Sequence, residues 1–154
     1  MKLISFVVMT VIAIPAMAQS SGKAEVFSAQ TIKDEQAKLA EQSHATGSSS
    51  TALGQYKSSA IRASVLTASG HAEIHARYDD VMMVTGGTAT LVTGGTVVDG
   101  HTSGDGETAG SSIQGGESHT ISAGDVIHVP AGTPHQLLVK KGTTYSSVVV
   151  KVRE

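Results

Sequence analysis

Four side chains able to donate to a metal or carry a proton stand at informative spacings: Glu73, His75, Asp80 and His135. Glu73 and His75 lie two apart, so on a strand both side chains point to one face. His71 shares that face if the strand extends so far. Asp80 precedes the apolar run Val81-Met82-Met83-Val84, with Asp79 an alternative in the neighbouring register. His135 closes the stretch Gly124-Asp125-Val126-Ile127-His128-Val129-Pro130-Ala131-Gly132-Thr133-Pro134-His135. In it Pro130 fixes its own φ and Gly132 supplies a backbone conformation few other residues tolerate, so the turn aims His135 in one direction. Nitrogen and oxygen donors of this kind suit Mn, Fe, Ni or Zn rather than a thiolate-binding metal. Each residue also has a plainer role. Asp80 could cap a hairpin, Glu73 could sit on a half-exposed strand, and His128, in alternation with Val126, could face the interior or fill the core. His44, His101 and His119 lie in polar loops and read as solvated.

Positioning these groups falls to short elements separated by glycine turns. After Leu53 the chain reads as β throughout, with strands expected at 58–66, 71–78, 81–84, 88–92, 96–98, 120–122, 125–129, 133–139 and 144–152. Before it, Thr31 to Ser43 is helix-prone: Thr31 with Asp34 resembles a capping box, and Ile32, Gln36, Leu39 and Ala40 outline an apolar stripe. Ala45 to Thr51 is Gly/Ser-rich and reads as a linker. Asp99 to Ser118, rich in Gly, Ser and Thr, is long for a connection in a compact domain and reads as disordered or as a functional flap.

Composition narrows the classes. Tryptophan and cysteine are absent and aromatics make up 3% of residues, so no disulfide or aromatic cluster staples the fold. The net charge of -2, with no basic cluster in the sequence, argues against a nucleic-acid partner. No cysteine nucleophile, phosphate-cradling glycine loop or Gly-x-Ser-x-Gly elbow is present. At the start, Lys2, the apolar run Leu3 to Ile14, Pro15 and Ala16-Met17-Ala18 read as a signal peptide cut after Ala18. The run is short for a bilayer span, so an exported protein, periplasmic or extracellular and free of the membrane after cleavage, is expected.

The spacing Gly124, Pro130, Gly132, His135 matches the second sequence motif of the cupin superfamily, and the chain resembles small exported single-domain bacterial cupins over about 58–152. In the first cupin motif, His75 fills the second histidine position, Asp80 the acidic position and Gly87 the glycine, while Glu73 replaces the first histidine. Val139 stands where the second motif often closes with Asn. Segments 89–95 and 110–116 also resemble such proteins. The resemblance implies an all-β jelly-roll barrel (a double-stranded β-helix) with a central pocket, often dimeric. The expected layout is a signal peptide at 1–18, an N-terminal helix and linker at 19–57, and a cupin domain at 58–152. Within it, His75, Asp80, His135 and Glu73 are the metal candidates, and His128 and His71 the pocket candidates. Two functions follow: a divalent-metal site that binds a small oxygen-rich ligand and could catalyse its conversion, or a metal-free small-molecule binding module. Cupins include enzymes, sugar-binding domains and storage proteins, so fold does not choose between them.

Overall fold

The computed structural model describes residues 22–154, so the segment read as a signal peptide lies outside the described residues. One helix, α1 (Ala29–Thr46), leads into β1 (Ser48–Gln55), β2 (Ser59–Leu66), β3 (Ala72–His75), β4 (Tyr78–Gly86) and β5 (Thr88–Thr93). The short strands β6 (Thr96–Val98), β7 (His101–Thr102), β8 (Glu107–Gly110) and β9 (Ser112–Gln114) follow. The chain ends with β10 (Glu117–Ser122), β11 (Val126–Val129), β12 (His135–Leu138) and β13 (Tyr145–Arg153). Two antiparallel sheets, ordered β1-β2-β13-β4-β11 and β10-β5-β12-β3-β8-β7, face each other, and β6 and β9 form a separate pair. This is the jelly-roll arrangement.

The helix differs from its expected bounds. Its N-cap is Ser28, whose Oγ accepts from the Thr31 N–H at 3.1 Å, so capping precedes the Thr31–Asp34 box. Gly47, at φ 83°, ends it by donating its N–H to the Ser43 carbonyl at 2.7 Å. Gln36, Leu39 and Ser43 are the buried face, and Leu39 packs on Ala63 and Val65 of β2. Gln36 also donates to Thr85 Oγ1 and to the Ser147 carbonyl, which fixes the helix across β4 and β13.

Two loop readings are corrected. The linker at 45–51 is the end of α1 and the start of β1, which pairs with β2 from Ser48↔Leu66 to Gln55↔Ala60, so the sheet begins ten residues before Ser58. Its serines satisfy their backbone groups in the ladder, which composition does not reveal. The stretch 99–118 is ordered too: β8 pairs with β3 over Ala72↔Gly110 to His75↔Glu107, and β9 pairs with β6.

Along each inward-facing row the chemistry changes from polar to apolar. On β4 the row runs Asp80, Met82, Val84; on β13, Lys151, Val149, Ser147, Tyr145; on β12 and just past it, His135, Leu137, Val139. Leu66, Met82, Val84, Leu91, Ile121, Val129, Val139 and Tyr145 close one end of the barrel as its core. The other end holds the ionisable groups around a cavity.

Candidate metal centre

Register brings the candidate ligands together. His135 on β12 is the direct ladder partner of Glu73 on β3, and Glu73 and His75 share a face two residues apart. The turn read from the sequence then locks the pair of strands. Gly132 adopts φ 75° with open space around the position a Cβ would take, so its conformation and not crowding demands glycine. Its N–H donates to the His75 carbonyl at 2.9 Å. Between His75 and Asp80 the chain turns at Ala76-Arg77 and crosses to the other sheet, which sets Asp80 on the wall facing the histidines.

One donor atom each from Glu73, His75 and His135 lies within 4.8 Å of the others. The imidazole centroids are 5.1 Å apart. The outer nitrogen of each ring is tied down: His135 Nδ1 donates to the Thr133 carbonyl at 3.0 Å, and His75 Nδ1 donates to Glu107 Oε2. Since a carbonyl only accepts, the hydrogen of neutral His135 sits on Nδ1 and the Nε2 lone pair is left free. His75 Nε2 is buried and has no hydrogen-bond partner among the described residues; Glu73 Oε2 lies 3.6 Å away and Asp80 Oδ2 3.4 Å. Two free Nε2 lone pairs and a carboxylate oxygen around one point are a donor set that fits a divalent ion, and the tethered Nδ1 atoms are the usual support for such ligands.

Asp80 lies next to this group. Its Oδ2 is 4.0 Å from His135 Nε2, but both its oxygens accept from Lys151 Nζ, at 2.8 and 3.1 Å. Burial alone would raise the Asp80 carboxyl; His75 and Lys151 override it and hold its pKa below the usual carboxylate range. Burial pulls His75 down, yet the carboxylates of Asp80 and Glu107 outweigh both burial and the Lys151 charge, leaving it above the ordinary imidazole value. His135 goes the other way: burial, joined by the nearby His75, depresses it more than the Thr133 carbonyl and the carboxylates restore. The two imidazoles therefore differ in proton affinity.

The remaining candidates separate cleanly. His71 lines the cavity with Glu73 and His75. His128 does not: its side chain is 56% exposed and its Nε2 is 3.1 Å from Asp79 Oδ2, so it points outward and is corrected as a pocket residue. The inward alternation of β11 belongs to Ile127 and Val129 instead. Asp79, one residue from Asp80 on β4, points away from the cavity and accepts from the Ala131 N–H at 2.8 Å, bracing the turn before His135. Sequence reasoning missed Glu107 and Lys151. The alternation of Lys151 with Val149 was the available signal for the lysine, whereas Glu107 lay in a segment read as a loop.

No family model matches the sequence, and no curated protein does. Among solved structures, the fold is similar to a cupin-2 domain from Rhodospirillum rubrum, with 12% identity over 70% of this chain and 61% of that one and a TM-score of 0.51. The chain has the cupin fold. A putative mannose-6-phosphate isomerase from Ralstonia eutropha JMP134 is similar at 16% identity, covering 70% of this chain and 85% of that one, with a TM-score of 0.50. A DMSP lyase from Ruegeria pomeroyi DSS-3 is similar at 14% identity over 70% of this chain, with a TM-score of 0.50. This chain spans 47% of that lyase. At these identities the shared property is the cupin barrel alone, and a group of two histidines and one glutamate suited to a metal lies inside it.

Proposed function

We propose that this cupin is an exported, divalent-metal-binding protein whose barrel takes a small oxygen-rich ligand. Glu73, His75 and His135 supply the protein ligands. The observation that carries this reading is the pair of histidines whose Nδ1 atoms are held by Glu107 and Thr133, leaving both Nε2 lone pairs turned toward Glu73. Mn, Fe, Ni and Zn suit the donor set. When bound, such an ion supplies Lewis acidity toward an oxygen ligand at its open positions. The chain's own residues bury the site, orient the imidazoles and keep Asp80 charged beside them through Lys151. Glu73, 48% exposed at its side chain, is the group with access to ligand and solvent and so the candidate to pass a proton should the site catalyse.

The Asp80–Lys151 pair favours a second reading, a metal-free binding module, because a lysine already neutralises the acid that the cupin motif offers to an ion. Metal content separates the two. Purified protein from metal-supplemented medium should carry a divalent ion that His75→Ala or His135→Ala largely removes and His101→Ala retains. Parent and double-histidine variant both near zero would leave the binding module. For export, amino-terminal sequencing of secreted protein should begin at Gln19; a retained Met1 would refute it.

A further inference from the structure

Across the cavity from the glutamate and histidines stands a wall of a different kind. Arg62 on β2 and Lys151 on β13 both line the space, which measures about 450 Å³. Arg62 is the ladder partner of Val149, so it is the diagonal neighbour of Lys151 on the same inner face. Lys151 is committed to Asp80. Arg62 is not committed to any acid: its one side-chain partner among the described residues is Ser50 Oγ, which accepts from Nη2 at 2.7 Å. A half-buried guanidinium has five N–H donors in a rigid fork, and one neutral hydroxyl leaves most of them unspent.

Further cations stand beside this wall. A depression lined by Lys57, Tyr78 and Arg153 adjoins the cavity through Arg62 and Lys151, and a further one adds Arg77. Five of the chain's 11 Lys and Arg residues thus gather at one end of a protein whose net charge is -2. The same end carries Glu73, Asp80, Asp105 and Glu107; Asp80 is paired with Lys151 and Glu107 with His75, and Glu73 stands on the facing wall with the histidines, so Arg62 keeps a charge that no acid neutralises directly.

We infer that the cavity selects a small molecule bearing a carboxylate or phosphate group, and that the fork of Arg62 receives that group. Arg62 sets the ligand's charge class, and the facing glutamate and histidines address its other end. The inference deepens the metal-site reading by naming the ligand's chemistry, but Arg62 belongs to the opposite wall and its role is separable from the ion.

Calorimetric titration at fixed ionic strength tests this with malonate, succinate and inorganic phosphate as probes, on chelated and on zinc-loaded protein. At least one probe should bind the parent saturably, and Lys141→Gln, which removes an equal charge elsewhere on the surface, should bind it equally well. Arg62→Gln should weaken that binding about tenfold or more, as expected for losing a charge-assisted bidentate contact. The carboxylate probes and phosphate distinguish the two sources of the oxyanion. In the parent protein itself, the Arg62 side-chain Nε–H resonance should shift along the same saturation curve, a readout independent of how the variant folds. No saturable binding of any probe, an unmoved Arg62 resonance, or equal binding by Arg62→Gln would overturn the inference. Binding that needs zinc and ignores Arg62 would leave the metal site standing without it. Arg62-dependent binding in chelated protein that takes up no ion would uphold Arg62 and remove the metal.

Discussion

Glu107 and the Thr133 carbonyl do the same work for two different histidines, each holding an Nδ1 so that Nε2 faces inward. The carboxylate also binds the His75 proton more tightly, and this has a cost at low pH. Because the His75 pKa is raised, a proton competes with the ion from above the ordinary imidazole range. Metal affinity should therefore fall as pH drops through that raised value and level off above it, with protons released on binding at lower pH. Glu107→Gln should weaken metal affinity by about 10–100-fold, read by competition with a chelator, and move the fall to lower pH. At this scale the sequence was legible where backbone chemistry singles a residue out. Gly132 and Pro130 marked His135, and strand alternation paired Glu73 with His75. Glu107 was not legible: it lies 32 residues from His75 and reaches it only through the pairing of β8 with β3. The choice between Asp79 and Asp80 was equally closed, since a one-residue shift of register exchanges the inward and outward faces.

At the scale of elements, alternation gave the existence of most strands, and β6 matched its expected bounds of Thr96–Val98. Errors fell where strands are polar, whether long, as in the serine-rich β1, or short. β7, β8 and β9 are made of His, Thr, Ser, Glu, Ala, Gly, Ile and Gln, residues that composition assigns to loops, and they are strands because neighbouring backbone is there to pair with. Their stabilities should differ. β8 is flanked on both sides, by β3 and β7, while β6 and β9 have only each other. In hydrogen exchange, inward-bonded amides within Glu107–Gly110 should be markedly slower than those of Thr96–Val98 and Ser112–Gln114. Uniformly fast exchange across 99–118 would mean that Glu107 is not held where His75 needs it. On the other side of the barrel, Leu39 anchors α1 against Ala63 and Val65. Leu39→Ala should cost about 2–5 kcal/mol in denaturant unfolding, with a loss of helix signal preceding the sheet.

For the whole molecule, the barrel divides into a half that holds it together and a half that carries the candidate site. The apolar end carries Leu91, Ile121, Val129 and Tyr145, and the charged end carries Glu73, His75, Asp80, Arg62 and Lys151. Stability and ligation should separate accordingly. Leu91→Ala should lower unfolding free energy by about 2–5 kcal/mol while folded protein still takes up its ion, whereas His135→Ala should lose the ion with the barrel intact. The division follows from the jelly-roll itself, whose strands each present one end of their inner row to the cavity. That global order came from the spacing of a single motif, Gly124 to His135, while the cationic wall opposite had no motif to announce it and emerged only when β2 and β13 were set side by side.

One joint in this barrel is thin. β12 is laced to β5 through four ladder pairs, from His135↔Thr93 to Leu138↔Thr90, but to β3 through one, His135↔Glu73. Those two residues are themselves candidate ligands, so an ion between them would act as a clasp across the sheet's weakest stitch. Beside that pair, the Gly132 N–H on the His75 carbonyl, the Gly70 N–H on the Leu137 carbonyl and Gln136 Nε2 on the Gly70 carbonyl also tie the two sides, so loss of an ion would loosen the leaf of β3, β8 and β7 rather than release it. Any loosening of that leaf would be felt at the turn Ala76-Arg77, where Arg77 is exposed. Trypsin should cut after Arg77 faster in chelated protein than in protein given its ion back, so the metal's presence would be recorded in how long the chain stays whole.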